Sequence, residues 1–361
     1  MIGSENVGGG SHTSDLFDII IAKKNIFAAW REFKNGKTNK ADVAAFAEYA
    51  ECELIGLHED LARGAYRHGA YARFFVHDPK RRPIAKASVR DRVLHHAICR
   101  ALAPRLDQAF IFDSYSSRMR KGTHAANDRL SNFAKKLSQN GTKTVWLLKC
   151  DIRKFFDSVD HDVLLGLCRA KIEDPRVLDL LENIISSFET RPCKGIPLGN
   201  LTSQLFANLY LDSLDNHVKR TLRVKHYIRY TDDFVFLSRD RKELERLLPQ
   251  VTDFLRDHLL LDMHPDKVIF RRWHEGVDFL GFVHFPHFSV VRPKTVRRMF
   301  RKLAKRLREI GDDEQDRARL EQSKQSYLGV LSHGRSKCLA RAIRHGFRLF
   351  SVRSTSTGRR F

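Results

Sequence analysis

The spacing of apolar residues changes along the chain and separates helical stretches from strand-like ones. From residue 15 to about 62 apolar residues recur every three or four positions, apart from a polar break at 36–39. This spacing predicts an N-terminal helical segment over 15–62. Residues 1–14 (MIGSENVGGGSHTS) are rich in Gly and Ser, and we expect them to be disordered.

Short apolar runs typical of buried strands mark the middle of the chain. The run VWLL at 145–148 leads into Asp151, and the runs at 226–230 and 234–238 flank Thr-Asp-Asp, which predicts a hairpin. Further helices are predicted at 91–109, 160–188, 201–222 and 241–259, and strand-like pieces at 267–270 and 277–291. Because strands and helices mix without βαβ regularity, we predict an α+β fold.

The C-terminal segment is both basic and amphipathic. Over 294–310 the apolar residues that share one helical face are Val296, Met299, Phe300, Leu303, Leu307 and Ile310. Arg and Lys fill the other face, and a second helix is predicted at 314–332. We therefore predict a basic helical segment over 291–361. A basic amphipathic helix that lies on a membrane or binds a partner protein is the alternative.

Charge is distributed unevenly over the 361 residues. The chain has a formal net charge of +22 and 42% hydrophobic residues, enough apolar material for a core. Residues 63–100 hold 10 basic and 2 acidic residues, and residues 291–361 hold 20 and 6. Two local basic patches indicate a polyanionic partner, most commonly nucleic acid. The alternative is a pair of solvated basic faces.

Several classes of protein are disfavoured by what the sequence contains. Its apolar runs are shorter than the roughly 18–20 residues that span a bilayer, and its N-terminus lacks the pattern of a signal peptide. Six cysteines lack C-x-x-C spacing, and 17 histidines form no HExxH pattern, which disfavours a zinc ribbon, a disulfide framework and a zinc hydrolase. We expect a cytoplasmic protein with reduced thiols and no membrane partner.

Three aspartates stand at positions where carboxylates are unusual. Asp151 ends a buried-looking strand, and Asp232 and Asp233 lie side by side at a hairpin tip, where Asn-Gly or Asp-Gly is preferred. Adjacent carboxylates repel each other, and a bound divalent cation would offset that cost. If the strand lies beside the hairpin, the three carboxylates could bind two Mg²⁺ ions for an in-line phosphoryl transfer. Ordinary turn chemistry and a helix N-cap at Asp151 are the alternatives.

Three segments of this region resemble known motifs in a fixed order. Residues 151–161 (DIRKFFDSVDH), 195–208 (GIPLGNLTSQLFAN) and 230–233 (YTDD) resemble three successive palm motifs of reverse transcriptases. Four further blocks resemble other motifs of group II intron-type enzymes: 80–93, 113–125, 261–267 and 276–282. The resemblance implies a right-hand polymerase that makes DNA on an RNA template by nucleotidyl transfer. It also implies fingers and palm over 63–290 with an antiparallel palm sheet, and a helical thumb over 291–361.

The resemblance assigns roles to individual residues. Asp151, Asp232 and Asp233 would be the catalytic carboxylates and, with the backbone carbonyl of Ile152, would hold two Mg²⁺ ions, for which Mn²⁺ can substitute. Phe156 would close the sugar pocket against a 2′-hydroxyl, with Phe155 a core residue. The other predicted contacts to the dNTP are Arg82, Lys86, Arg118, Leu198, Gly199, Gln204 and Lys267. The predicted nucleic-acid contacts are Tyr230, Arg297, Arg298, Arg301, Lys302 and Lys305.

The loop at 195–204 departs from the commonest form of its motif. Gly199 lets the backbone approach a ligand, and Asn200 or Thr202 is expected to cap the following helix. Where intron, retron and retroviral enzymes carry Gln before this glycine, the chain has Leu198, and Gln204 stands where intron enzymes have Pro.

These departures resemble the reverse transcriptases of diversity-generating retroelements. That family copies a template-repeat RNA into cDNA mutated at adenines, with a structured noncoding RNA and a small accessory protein. The partners implied are an RNA template, a DNA or RNA primer and dNTPs. Alternatives are an antiviral (anti-phage) or uncharacterised group II-like reverse transcriptase, an RNA polymerase, a catalytically silent RNA-binding scaffold, and a fidelity-neutral leucine.

Overall fold

The computed structural model describes residues 16–77, 81–309 and 314–345. The predicted disordered residues 1–14 lie outside these ranges. The chain forms two compact units that are interleaved along the sequence. The first unit contains the described residues up to Arg118 together with Ile152–Arg223 and Gln250–Pro265. The second contains Met119–Asp151, Val224–Pro249 and the described residues from Asp266 onward.

Helices and short strands follow one another in runs along the chain. The helices are α1 (Leu16–Ile21), α2 (Lys23–Lys34), α3 (Ala41–Glu48), α4 (Ala50–Ala62), α5 (Val89–Ala109), α6 (Thr123–Leu137), α7 (Phe155–Ser158), α8 (His161–Arg169), α9 (Pro175–Ser186), α10 (Leu201–Asn216), α11 (Arg241–Leu259), α12 (Pro293–Glu309), α13 (Glu314–Ser332) and α14 (Lys337–His345). The strands are β1 (Ala72–His77), β2 (Arg81–Lys86), β3 (Trp146–Asp151), β4 (Tyr227–Tyr230), β5 (Asp233–Ser238), β6 (Ile269–Arg272), β7 (Val277–Phe279), β8 (Phe282–His284) and β9 (Ser289–Val291).

The first unit is built around α5. This helix packs against α2 and α10 and buries Leu94, Ala97 and Ile98 completely. β1 and β2 pair as an antiparallel hairpin in the same unit. The helical pattern predicted over 160–188 forms two helices, because α8 ends at Arg169 and α9 starts at Pro175. Proline suits the first turn of a helix, where no backbone N–H is required.

The second unit contains a four-stranded antiparallel sheet in the order β4-β5-β3-β6. Tyr227, Phe234 and Phe236 are fully buried in it, as the apolar runs around Thr-Asp-Asp predict. The predicted hairpin is confirmed as β4 and β5. The strand-like stretch predicted over 277–291 forms a second antiparallel sheet of three short strands, β7-β8-β9.

The C-terminal helices share a small core with this second sheet. It consists of Phe282, Val291, Met299, Leu303, Leu320, Leu331 and Ile343. Leu307 was predicted on the buried face but is 40% exposed, so the buried stripe of α12 ends one turn earlier, at Leu303. Ile310, the last predicted member, lies outside the described residues. The prediction of an α+β fold with antiparallel sheets and a helical C-terminal segment is confirmed.

None of the helices described in the structure has the length and apolarity that crossing a bilayer requires. The six cysteines all carry free thiols, and burial raises the pKa of Cys99 and of Cys168 to about 12. These two thiols therefore stay protonated at neutral pH and behave as apolar core groups.

Candidate active site

Strand pairing in the second unit brings the predicted carboxylates together. β3 pairs antiparallel with β5 in a register that sets Asp151, the last residue of β3, opposite Asp233, the first residue of β5. Asp232 precedes Asp233 in the turn, where Thr231 adopts a positive φ of 53°. The expectation that the strand ending at Asp151 lies beside the acidic hairpin is confirmed.

Two lysines accompany these carboxylates. The Lys267 ammonium donates to Asp151 Oδ1 at 2.5 Å, and Lys149 Nζ lies 3.5 Å from Asp233 Oδ1. Lys149 also donates to the backbone carbonyl of Asp278 at 3.4 Å. Sequence reasoning missed Lys149. The signal was available, because a residue two positions before Asp151 on a strand lies on the same face.

The cluster of three aspartates and two lysines in the second unit carries more negative than positive charge. Burial raises the pKa of Asp232 to about 6, and the charges of Asp151 and Asp233 act in the same direction. Burial also raises the pKa of Asp233, against the opposing charge of Lys149. Three carboxylates share two ammonium groups, so one negative charge is poorly compensated.

The donor set fits a hard divalent cation, since carboxylate oxygens are the ligands that Mg²⁺ prefers. Over residues 16–77, 81–309 and 314–345, no three His, Cys, Asp or Glu side chains are gathered closely enough to hold a metal ion. Lys267 and Lys149 hold two of the carboxylates in this arrangement. To hold a cation, Asp151 and Asp233 would have to give up these ammonium contacts, and the ion would supply positive charge to the acidic cluster.

The first unit holds most of the residues predicted to contact a nucleotide. Arg82 is exposed on β2, whereas Lys86 forms an ion pair with Asp42 at 3.0 Å. Leu198 is half-buried before α10, and Gln204 is exposed in the first turn of that helix.

The two phenylalanines of the 151–161 motif differ in burial. Lys154 adopts a positive φ of 46° and turns the chain from β3 into α7. Phe155 is 1% exposed and belongs to the core, and the Phe156 ring is only half-buried. The Phe156 carbonyl accepts a hydrogen bond from the Ile196 backbone N–H at 2.8 Å, which ties this turn to the loop before α10.

Arg118 has a structural role instead of the predicted contact with a triphosphate. Its side chain is only 6% exposed and forms an ion pair with Asp107. Its guanidinium also donates to the carbonyls of Ile111 at 2.6 Å and Ser114 at 3.0 Å. These bonds fix the loop after α5 and use the donors that a phosphate would need.

The expected capping of α10 is also wrong. Asn200 occupies the N-cap position, yet in the described part of the chain its side chain makes no capping hydrogen bond to the helix. Thr202 lies inside the helix and is buried. The Asn200 amide contacts the end of β2 instead.

The basic residues of α12 face solvent in the second unit. Arg297, Arg301, Lys302 and Lys305 are exposed and Arg298 is half-buried. Tyr230, at the end of β4, is half-buried beside the acidic turn. Met299 and Leu303 anchor α12 in the small core of the second unit.

Comparison with known proteins identifies a matching family. The family model described as "Reverse transcriptase (RNA-dependent DNA polymerase)" matches residues 77–284. Protein YkfC of Escherichia coli is 25% identical over 63% of this chain and 70% of its own length. The group II intron-encoded protein LtrA of Lactococcus lactis subsp. cremoris is 21% identical over 65% of this chain and 50% of its own length.

A solved structure of apo telomerase from Candida tropicalis is similar at 10% identity. The match covers 61% of this chain and 48% of that one, with a TM-score of 0.48. The chain thus spans half the length of LtrA and about half that of the telomerase chain.

Proposed function

Because the chain belongs to the reverse transcriptase (RNA-dependent DNA polymerase) family, we propose that it copies an RNA template into DNA by adding deoxynucleotides to a DNA or RNA primer. The observation that carries this proposal is the register of β3 and β5, which sets Asp151 opposite Asp233 with Asp232 adjacent. A family match over residues 77–284 supports the same activity independently.

The three carboxylates and the carbonyl of Ile152 would hold two Mg²⁺ ions, or Mn²⁺ in their place. Such ions supply the positive charge that stabilises the attacking and leaving oxygens of an in-line displacement. The Lys267 ammonium donates a hydrogen bond to Asp151. It would stabilise the charge on the departing pyrophosphate or protonate it.

The exposed groups of the first unit support a nucleotide site. Arg82 on β2 offers a guanidinium for bidentate contact with a triphosphate, and Lys86 could add a second cation if its ion pair with Asp42 opens. The half-buried Phe156 ring would exclude a 2′-hydroxyl sterically. Leu198, Gly199 and Gln204 would lie beside the nascent base pair.

Contacts to the template and primer would come from the second unit. Tyr230 would contact the primer end, and the exposed cations of α12 would contact phosphates without reading sequence. The proposed α12 contacts are Arg297, Arg298, Arg301, Lys302 and Lys305.

Primer extension on an RNA template tests the activity. We expect Asp151→Asn, Asp232→Asn and Asp233→Asn each to reduce extension by at least about 10³-fold, since each removes a ligand needed for transition-state charge. Asp253→Asn, on the exposed face of α11, is the matched control and should extend like the wild type. Undiminished extension by the three variants would assign the activity to a different active site, whereas a wild type that extends no primer would indicate an RNA-binding scaffold.

The finer proposal is that the chain makes mutagenised cDNA in a diversity-generating retroelement, with a template-repeat RNA, a structured noncoding RNA and a small accessory protein. Leu198 before Gly199 and Gln204 after Ser203 support it. An apolar side chain that replaces an amide removes a polar group that could check the nascent pair.

Sequencing of cDNA made on a template with scattered adenines tests this assignment. We expect substitutions to concentrate opposite adenines. Equal error frequencies at the four template bases would reject the mutagenic role while leaving the polymerase activity intact. That outcome is the one expected of an anti-phage or other group II-like reverse transcriptase.

A further inference from the structure

Asn200 has a buried side-chain amide at a helix N-cap position, but the amide does not cap the helix. It is the N-cap residue of α10 and is 2% exposed. An Asn at this position normally accepts a hydrogen bond from the first turn of its own helix. Asn200 turns its side chain towards β2 instead, so the local preference is overridden by a tertiary contact.

The amide joins β2 to the loop before α10 through both of its polar atoms. Asn200 Nδ2 donates to the Ala85 carbonyl at 2.8 Å, and Asn200 Oδ1 accepts from the Ala87 backbone N–H at 3.1 Å. The Ala85 N–H donates to the Leu198 carbonyl at 3.1 Å. The side chain therefore continues a backbone ladder in place of a peptide group.

Close packing reinforces this link. Gly199 has a φ of +112°, and a Cβ at this position would lie 2.9 Å from Ile84 Cγ2. On the other side, the Gly195 N–H donates to the Val159 carbonyl at 2.7 Å. The loop is thus held from two directions within the first unit.

We propose that Asn200 is a positioning residue for nucleotide selection, setting the spacing between β2 and Leu198. This rests on the proposed function, in which Arg82 on β2 meets the triphosphate and Leu198 lies beside the base. An amide is suited to this task because it donates and accepts at once, whereas Asp cannot donate when ionised and Ala can do neither. Displacements near 1 Å are enough to change rates by about 100-fold.

Asn200→Ser and Asn200→Ala are the informative variants. Serine at the N-cap can bond to its own helix, so Asn200→Ser should keep α10 stable while losing the link to β2. The matched control is Asn208→Ala, on the same helix, which removes a buried amide bond to the Ser116 carbonyl at 2.8 Å. This change leaves the contact between β2 and the loop intact.

Two measurements on the full chain are compared among the variants. The first is hydrogen–deuterium exchange of residues 81–88, which we expect to be at least 10-fold faster in both Asn200 variants than in the wild type and Asn208→Ala. The second is steady-state dNTP incorporation on an RNA template. We expect Asn200→Ser to raise the KM for dNTP about 10-fold and to change the ratio of correct to mismatched insertion, with kcat little altered.

Wild-type exchange of residues 81–88 in Asn200→Ser would overturn the proposed link. Faster exchange with a KM and a mismatch ratio equal to those of Asn208→Ala would show a merely structural role and overturn the proposal of selectivity. A wild type that extends no primer would overturn the proposed function instead, and the exchange comparison would still decide whether Asn200 holds β2.

Discussion

The ammonium of Lys149, which lies on the strand that ends at Asp151, is 3.5 Å from the Asp233 carboxylate. It opposes the effect of burial on the pKa of Asp233. The Lys267 ammonium pairs with Asp151 at 2.5 Å. Two lysine side chains thus compensate part of the negative charge of the three aspartates. Removing either lysine should make the stability of the protein depend more strongly on an added cation.

Replacing Lys149 by methionine keeps the aliphatic stem near the Phe279 ring and removes the charge together with the hydrogen bond to the Asp278 carbonyl. We expect the metal-free variant to lose about 1 to 2 kcal/mol of stability at pH 7, because Asp233 then keeps a poorly compensated charge. Thermal unfolding in a chelator, compared with millimolar MgCl₂, measures the effect. Mg²⁺ should raise the midpoint more in the variant than in the wild type.

Lys136→Met is the control for this change, since Lys136 is exposed on α6. It should leave the midpoint and its Mg²⁺ dependence unchanged. A Lys149→Met midpoint that responds to Mg²⁺ no more than that of Lys136→Met would contradict the role given to Lys149.

The raised pKa of Asp232 makes stability depend on pH in a defined direction. Its pKa is about 6 in the folded chain and 3.8 as the ordinary value, so the folded state binds the proton more tightly. The metal-free protein should therefore lose stability as pH rises from about 4 through about 6. Asp232→Asn removes this loss and should be about 3 kcal/mol more stable than the wild type at pH 7.

Urea unfolding in a chelator at pH 5 and pH 7.5 checks the sign. The difference in the free energy of unfolding between Asp232→Asn and the wild type should be larger at the higher pH. Added Mg²⁺ should reduce this difference by binding the wild type. Asp253→Asn provides the reference for a simple removal of charge. If this difference in the free energy of unfolding becomes smaller as pH rises, the pKa of Asp232 is not raised in the folded chain.

A substitution of Phe156 tests the proposed sugar pocket. Phe156→Ala should reduce discrimination against ribonucleotides by about 100-fold, because a steric contact with a small substituent is worth about 1–3 kcal/mol. Competition between dNTP and rNTP in primer extension measures the ratio. Phe155→Leu is the comparison, since that ring is core and its change should lower stability without altering sugar choice. Unchanged discrimination in Phe156→Ala would assign the gate to another residue.

The acidic centre could be predicted from sequence because its determinants are local. The apolar runs that end at Asp151 and begin after Asp233 define two strands, and the hairpin follows from the short turn. Their pairing was a hypothesis that the register of β3 and β5 confirms. The position of Lys149 beside the aspartates can be predicted from the two-residue period of β3, but only once the face of the strand that carries Asp151 is known.

Tertiary bonds explain what the sequence could not predict. The N-cap preference of Asn200 predicts a bond to α10, and a contact with Ala85, 115 positions away, overrides it. Arg118 has the charge that a triphosphate needs, and its ion pair with Asp107 is set by the fold of a loop. Leu307 continues the helical period of α12, yet the core that it would join ends at Leu303.

Leu198 provides a direct test of fidelity. Leu198→Gln restores the amide typical of the commoner motif and should lower misincorporation at template adenines about 10-fold, with a smaller change at the other three bases. Sequencing of cDNA from both enzymes on one template gives the comparison. Leu198→Met, which keeps an apolar side chain of similar volume, should retain the wild-type error pattern. Equal adenine errors in all three enzymes would separate Leu198 from fidelity.

The cationic face of α12 should contribute to binding through phosphates alone. Arg297, Arg301 and Lys305 recur every four residues and are exposed on one side of the helix. Replacing all three by glutamine should weaken binding to an RNA–DNA duplex uniformly across sequences. It should also lower the magnitude of the slope of log K against log salt by about 2 to 3, because each phosphate that a cation neutralises adds about 0.9 to that slope.

Fluorescence anisotropy over a range of salt concentrations measures this slope. The control is the pair Lys23→Gln and Lys24→Gln, because both lysines are exposed on α2 of the first unit and carry the same kind of charge. A slope that falls equally in the control and in the α12 variant would mean that net charge alone attracts the duplex. A slope that falls only in the α12 variant, with Met299 and Leu303 still anchoring the helix, would place the duplex phosphates on α12.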